Sequence, residues 1–200
     1  TLTLGGTGAY TGTTSVTGGV VIITANAALG SDAGGTTVSG SGVRLDFQNV
    51  NYTTAEQLTL LSGGGIGTST GTSSFAGLIS MTAAVIPVDG TQLTLGGTIS
   101  GGTTSSAMAL SKTGLGRLVL SGSNTYSGTS EISAGVLQVA NANALGLGTL
   151  DRDKTRILSG AAMEVSGGIT IVGENLELSG SGIGGPGALR NVSGSNTLGG

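Results

Sequence analysis

The chain has no cysteine, no histidine and no tryptophan, only two prolines and two phenylalanines, and charged residues make up just 8% of its 200 positions. Without cysteine there is neither a disulfide nor a thiolate metal site. Without histidine, serine or cysteine triads of the usual type and the common zinc sites are excluded as well. The seven basic residues form no stripe, so nucleic acid is not an expected partner. Apolar residues gather in short clusters, such as those at 118–120, 136–139 and 176–178. None approaches the roughly 18 consecutive apolar residues of a membrane-spanning helix, so this segment is not expected to insert into a membrane. Nothing in the composition asks for a cofactor or a metal.

What remains is glycine, 41 residues of it, with threonine, serine and asparagine between isolated leucine, valine and isoleucine. Glycine and β-branched residues make poor helices, and valine, isoleucine and threonine suit a half-buried strand. The hydrophobic fraction of 37% is regularly spaced, which favours order over the apolar-poor composition of disordered chains. The organising feature is a repeat: residues 2–30 return at 118–146 without a gap, identical at 11 of 29 positions. Leu2/Leu118, Leu4/Leu120, Val20/Val136 and Leu29/Leu145 keep their apolar character and are expected in the core. Gly6/Gly122, Gly12/Gly128, Gly19/Gly135 and Gly30/Gly146 are expected at corners, where positive φ or close backbone approach requires glycine. The exchange Gly8/Asn124 predicts a left-handed turn residue.

Further matches at offsets of 117 and 120 set the unit at 116–120 residues, with copies starting near 2 and 118. Apolar anchors at Leu118, Leu137, Ile157, Leu176 and Leu198 step by 19 to 22 residues. They predict an all-β parallel β-helix, a β-solenoid with about 20 residues per rung and roughly ten rungs at about 4.8 Å. Within strands, Leu137 and Val139 are expected inward with Gln138 outward, as are Val21 and Ile23 with Ile22 outward. Stacked aliphatics fill such a thin interior, and Asn26, Asn141 and Asn143 are candidates for an amide ladder. The whole of 1–200 reads as one continuous solenoid segment. Because it opens and closes in mid-motif, we expect an excerpt of a longer array, with neighbouring repeats covering its open edges.

Residues 112–146 closely resemble the autotransporter-associated β-strand repeat of bacterial surface proteins. The resemblance is carried by Lys112, Gly114 and Gly116, by Leu-x-Leu-Ser-Gly at 118–122, by Asn124-Thr125-Tyr126 with Gly128, by Gly135-Val136-Leu137, and by Ala144-Leu145-Gly146. Residues 176–200 are similar to the region that follows such repeats. The resemblance implies a right-handed β-helix, in line with the general preference of parallel crossovers. It implies a passenger segment outside the cell or on the outer surface of a Gram-negative-type bacterium, with adhesion, self-association or display as its role. The implied partners are neighbouring repeats, joined end to end or laterally, and host or cell-surface glycans or proteins. The repeat brings no catalytic motif, and the chain reads as a non-enzyme.

Candidate sites are few. Asp32, Asp46, Glu56 and Asp89 stand isolated, and Glu164, Glu174 and Glu177 read as a solvated face rather than a catalytic pair. One mixed-charge stretch, Asp151, Arg152, Asp153, Lys154 and Arg156, coincides with four extra residues in the second copy and is the candidate partner-docking loop. Tyr10 and Tyr126 occupy equivalent places and are the candidate exposed aromatics. A calcium-binding β-roll is excluded because Gly63-Gly64-Gly65-Ile66-Gly67 lacks the recurrent aspartate. Alternatives left open are a building block of an extracellular filament or sheath and a β-helix polysaccharide-active enzyme.

Overall fold

The computed structural model describes residues 1–102, 107–148 and 153–199. Their regular structure is β-strand only, paired in parallel; a full turn runs from the first face to the second to the third, the first two turns lacking a second-face strand and the turns from Met108 to Lys154 lacking a third-face strand. The first face has nine strands: Leu2–Leu4, Val20–Ile23, Arg44–Phe47, Gly65–Gly67, Ala84–Pro87, Met108–Thr113, Thr129–Ile132, Lys154–Ile157 and Asn175–Leu178. The second has seven: Asn51–Tyr52, Thr72–Phe75, Gln92–Leu95, Arg117–Leu120, Gly135–Val139, Ala161–Ser166 and Leu189–Ser193. The third has five: Thr14–Val16, Thr36–Ser39, Gln57–Leu61, Leu78–Met81 and Ile99–Gly101. A two-stranded sheet, Thr170–Val172 with Thr197–Gly199, takes the third-face place in chain order.

The solenoid therefore makes about eight turns, not ten, with register partners from 19 residues apart (Leu2 opposite Val21) to 27 apart (Thr170 opposite Thr197) and about 22 on average. The shorter expected rung has a plain cause. Leu118 and Leu137 do stack, but the partner of Leu137 is Met163 on the second face, whereas Ile157 lies on the first. Equally apolar anchors on different faces mimic one column.

Alternation sets the core as expected: Val21, Ile23, Leu137 and Val139 are buried, and Ile22 and Gln138 are half-buried on the outer side. One inward column on the first face runs Leu45, Ile66, then Ile86, Lys112, Ile132 and Ile157. Lys112 thus occupies a core position and is fully buried. Its Nζ donates to the carbonyls of Thr113 (3.0 Å), Gly114 (2.8 Å) and Ala134 (3.0 Å), and burial pushes its pKa down to about 8. The ammonium ties one coil to the next, in place of side-chain packing. Lys112→Ala should cost about 3 kcal/mol, from lost packing and orphaned carbonyls, measured by chemical denaturation. The interior is not purely aliphatic either. Phe47, Tyr52 and Phe75 form a buried cluster with ring centroids 5.4 to 5.7 Å apart, and Tyr52 Oη accepts from Leu29 N.

The two copies are one structural module. Leu2 pairs with Val21 as Leu118 pairs with Leu137, and Ser31 N donates to Tyr10 O as Leu147 N donates to Tyr126 O. The corner glycines Gly19 and Gly135 have φ of 69° and 67°, and Gly30 and Gly146 have 90° and 91°. Gly8 and Asn124 are not left-handed, contrary to the sequence expectation. Asn124 is there for its amide, which accepts from Ile99 N (2.8 Å) in the coil before and donates to Ala144 O (2.6 Å) in the coil after. The copies do not share a face, however. Leu2–Leu4 lies on the first and Arg117–Leu120 on the second, so one repeat spans five full turns and one face more.

Candidate functional site

Each copy holds an inward-facing string of hydroxyls ending on a carboxyl. In the second copy Tyr126 Oη and Ser130 Oγ are 3.0 Å apart, Ser130 stacks beside Thr155, and Thr155 Oγ1 donates to Glu174 Oε1 at 2.7 Å. In the first copy Thr14 Oγ1 donates to Tyr10 Oη at 3.1 Å, Thr14 stacks beside Thr36, and Thr36 Oγ1 donates to Glu56 Oε1 at 2.7 Å. Thr36, Glu56, Tyr126, Ser130 and Thr155 are buried, and Glu56 Oε2 has no hydrogen-bond partner among the described residues. Burial raises the pKa of Glu56, with Asp32 adding to the rise. Burial likewise raises Glu174 to about 7, with Asp153 adding to it. Glu56 and Glu174 each stand two residues before an inward leucine, in Glu-x-Leu-x-Leu at 56–60 and 174–178. That recurrence was present in the sequence, and the inward role of the carboxyl was not recognised from it.

The residues singled out from sequence fare differently. Asp151 and Arg152 lie outside the described residues. Asp153 is buried, and its Oδ1 accepts from Gly128 N at 2.8 Å. Lys154 and Arg156 belong to the strand Lys154–Ile157, where Lys154 bonds Glu177 (2.6 Å) and Arg156 bridges Glu131 and Glu177 (3.0 Å each). The described part of the expected docking loop is thus a strand laced to its neighbours, and its cations are committed to acids. Tyr126 is buried, which corrects its place among exposed aromatics: its ring lies beneath Gly146 and its hydroxyl meets Ser130. Tyr10 is 43% exposed.

The solvated-face reading of the acids also needs correction. Glu164 is buried on the outer side of the second face between Arg117 and Arg190, the latter at 3.0 Å. Asp46 is buried too, accepting from Ser69 N (2.7 Å), Ser69 Oγ (2.6 Å) and Gln48 Nε2 (2.8 Å). Glu164→Ala should cost about 2–4 kcal/mol by stranding two guanidinium groups, whereas Lys154→Ala at the exposed end of its ladder should leave the denaturation midpoint almost unmoved. Chemical denaturation of the two variants side by side checks this contrast. The amide ladder does not form. Asn26 bonds Thr53 and Thr54, Asn141 reaches Ser121 O, and Asn143 reaches Ser123 Oγ.

A groove of about 750 Å³ opens at the corner of the second copy, lined by Ser123, Asn143, Leu147, Val172 and Glu174. In the first copy Asn26 spans the corresponding gap to Thr53 and Thr54, and Ala142 stands at its place in the second. Among the described residues no three histidine, cysteine or acidic side chains converge as a metal site. The arrangement holds protons and binds coils together; the acids of the two strings and of the charged strand are each engaged by hydroxyls, amides or cations.

Compared with known families, residues 1–23 and 110–139 match the passenger-associated transport repeat, about a quarter of the chain. No curated protein and no solved structure matches the chain. The two matched stretches fall in the two copies whose coils share a register, Leu2 on Val21 and Leu118 on Leu137.

Proposed function

We propose that this chain, which carries two autotransporter passenger repeats, is a non-enzymatic stalk segment of a bacterial protein displayed or secreted outside a Gram-negative cell. Its work is to extend an adhesive or self-associating surface. The observation that supports this most is the closure of the module on itself. The interior copy, Leu118 to Val139, is buried by coils on both sides, through contacts that any further coil of the same kind would make again. Such a rod lengthens by about 25 Å per repeat, at about 4.8 Å per coil, with little demand on the rest of the chain. The winding in this reading is right-handed.

A second reading is a filament or sheath unit with repeats joined lengthwise, since each coil stacks on the next in parallel register, Leu118 on Leu137 and Leu137 on Met163. Electron microscopy of the intact protein, on its cells and purified, tests both. Separate rods rooted in an outer membrane support the stalk. Continuous fibres of uniform thickness would replace it with the filament. The remaining reading, a polysaccharide-active enzyme, would return if hydrolysis of a polysaccharide were lost on replacing Glu174.

A further inference from the structure

Six of the seven cations are arginines 117, 152, 156 and 190 with Lys112 and Lys154, and all of these that lie among the described residues are engaged. Arg117 and Arg190 hold Glu164, Arg156 and Lys154 hold Glu177, and Lys112 holds three carbonyls. Arg44 differs. No acid and no hydrogen-bond acceptor meets its guanidinium among the described residues; its Nε is buried without a partner, as is that of Arg190, but Arg190 still holds Glu164 through Nη2. An unmet buried N–H costs free energy until something accepts from it. The nearest acid along its strand, Asp46, is taken up by Ser69 and Gln48.

The local backbone explains why no side chain from the register position in the next coil meets Arg44. Its register partner in the next coil is Gly65, which presents no side chain. A Cβ there would strike the carbonyl oxygen of Val85, so the position is held to glycine by close approach of the coils. The result is a hollow of about 300 Å³ beside the guanidinium, lined by Ser41, Gly63, Val85, Pro87 and Thr113. Its size lies at the lower end of the ~300–1,000 Å³ of small-ligand sites, room for one ring. Its lining brings together the cationic Arg44, the hydroxyl residues Ser41 and Thr113, and the apolar Val85 and Pro87. In the repeat, Val20 pairs with Arg44 as Val136 pairs with Ala162, so the second copy lacks this cation.

We propose that Arg44 and this hollow bind an acidic sugar residue, a carboxylated hexose whose carboxylate takes the guanidinium fork and whose ring lies over Val85 and Pro87. A guanidinium matches a carboxylate through two parallel hydrogen bonds. An inorganic anion would use the guanidinium and leave the hydroxyl and apolar residues idle. The site stands on the geometry of these coils alone and does not depend on the stalk reading.

The test is nitrogen-15 NMR of the arginine Nε–Hε resonances of the chain, titrated with sodium glucuronate at constant ionic strength, with glucose and inorganic phosphate as controls. One resonance, absent in Arg44→Lys, should shift saturably with glucuronate, stay put with glucose, and respond at least tenfold more weakly to phosphate. Val85→Glu supplies an internal carboxylate and fills the hollow, and should weaken glucuronate binding at least tenfold while circular dichroism remains that of the parent. Absence of a saturable shift, an equal response to phosphate, or undiminished binding in Val85→Glu would overturn the proposal.

Discussion

Gly122→Ala is expected to destabilise the chain by about 3 kcal/mol or more, while Gly96→Ala, the same change at an interior glycine of the coil before, leaves stability within about 0.5 kcal/mol. The corner that follows the second face packs its coils through a column of glycines. A Cβ on Gly77 would land on the carbonyl oxygen of Glu56, one on Gly97 on that of Gly77, and one on Gly122 on that of Gly97. Backbone on both sides of the contact leaves no flexible side chain to move aside, so the coils must separate and lose hydrogen bonds such as Ser121 N to Leu95 O. A Cβ added to Gly96 would meet only Ser121 Oγ at 3.7 Å and Phe75 O at 3.9 Å, ordinary van der Waals distances. Chemical denaturation, with amide hydrogen exchange to locate the loss around residues 95–122, separates the two. Equal effects would mean that intrinsic glycine conformation, rather than coil contact, governs the position.

The second large effect is one of pH. Folded Glu174 titrates near 7 and the unfolded residue near 4.5, so the folded state holds its proton more tightly. Its contribution is complete below about pH 4.5 and is lost as pH rises through 7. The shift corresponds to a few kcal/mol at most, by about 1.4 kcal/mol per unit, and on the order of 2 kcal/mol after partial solvent access. Glu56, also raised, acts with the same sign. Glu177 works the other way: its bonds to Lys154 and Arg156 hold it below the usual carboxylate range, and its help fades as acid protonates it. Stability should therefore peak near pH 5 and fall toward pH 7.5, and Glu174→Gln should flatten that fall. Urea midpoints across pH 4 to 8 for the parent and Glu174→Gln measure it. A parent profile that rises between pH 5 and 7.5 would refute the buried-acid account.

The repeat, the parallel solenoid and the inward set of each strand were legible because they are local patterns. Leu137-Gln138-Val139 alternates visibly, and the glycine pairs 19/135 and 30/146 mark corners wherever they occur. The number of turns was not legible, since nothing in Ile157 itself says that it faces a different side from Leu137. Polar residues inside the rod were hidden for a related reason. Lys112 and Glu174 look like surface residues until the neighbouring coil supplies the carbonyl or the Thr155 hydroxyl that satisfies them.

The advance of five turns and one face per repeat decides how a longer array would present itself. Each surface feature then returns rotated by a third of a revolution, and it regains its original bearing only after three repeats, roughly 80 Å along the axis at about 4.8 Å per coil. A flat partner surface would meet any given repeat-borne feature at that long interval, while soluble partners arriving from all sides would find it at every repeat. The same spiral denies two neighbouring rods a continuous matching stripe, so side-by-side bundling through such a feature would require the rods to twist around each other.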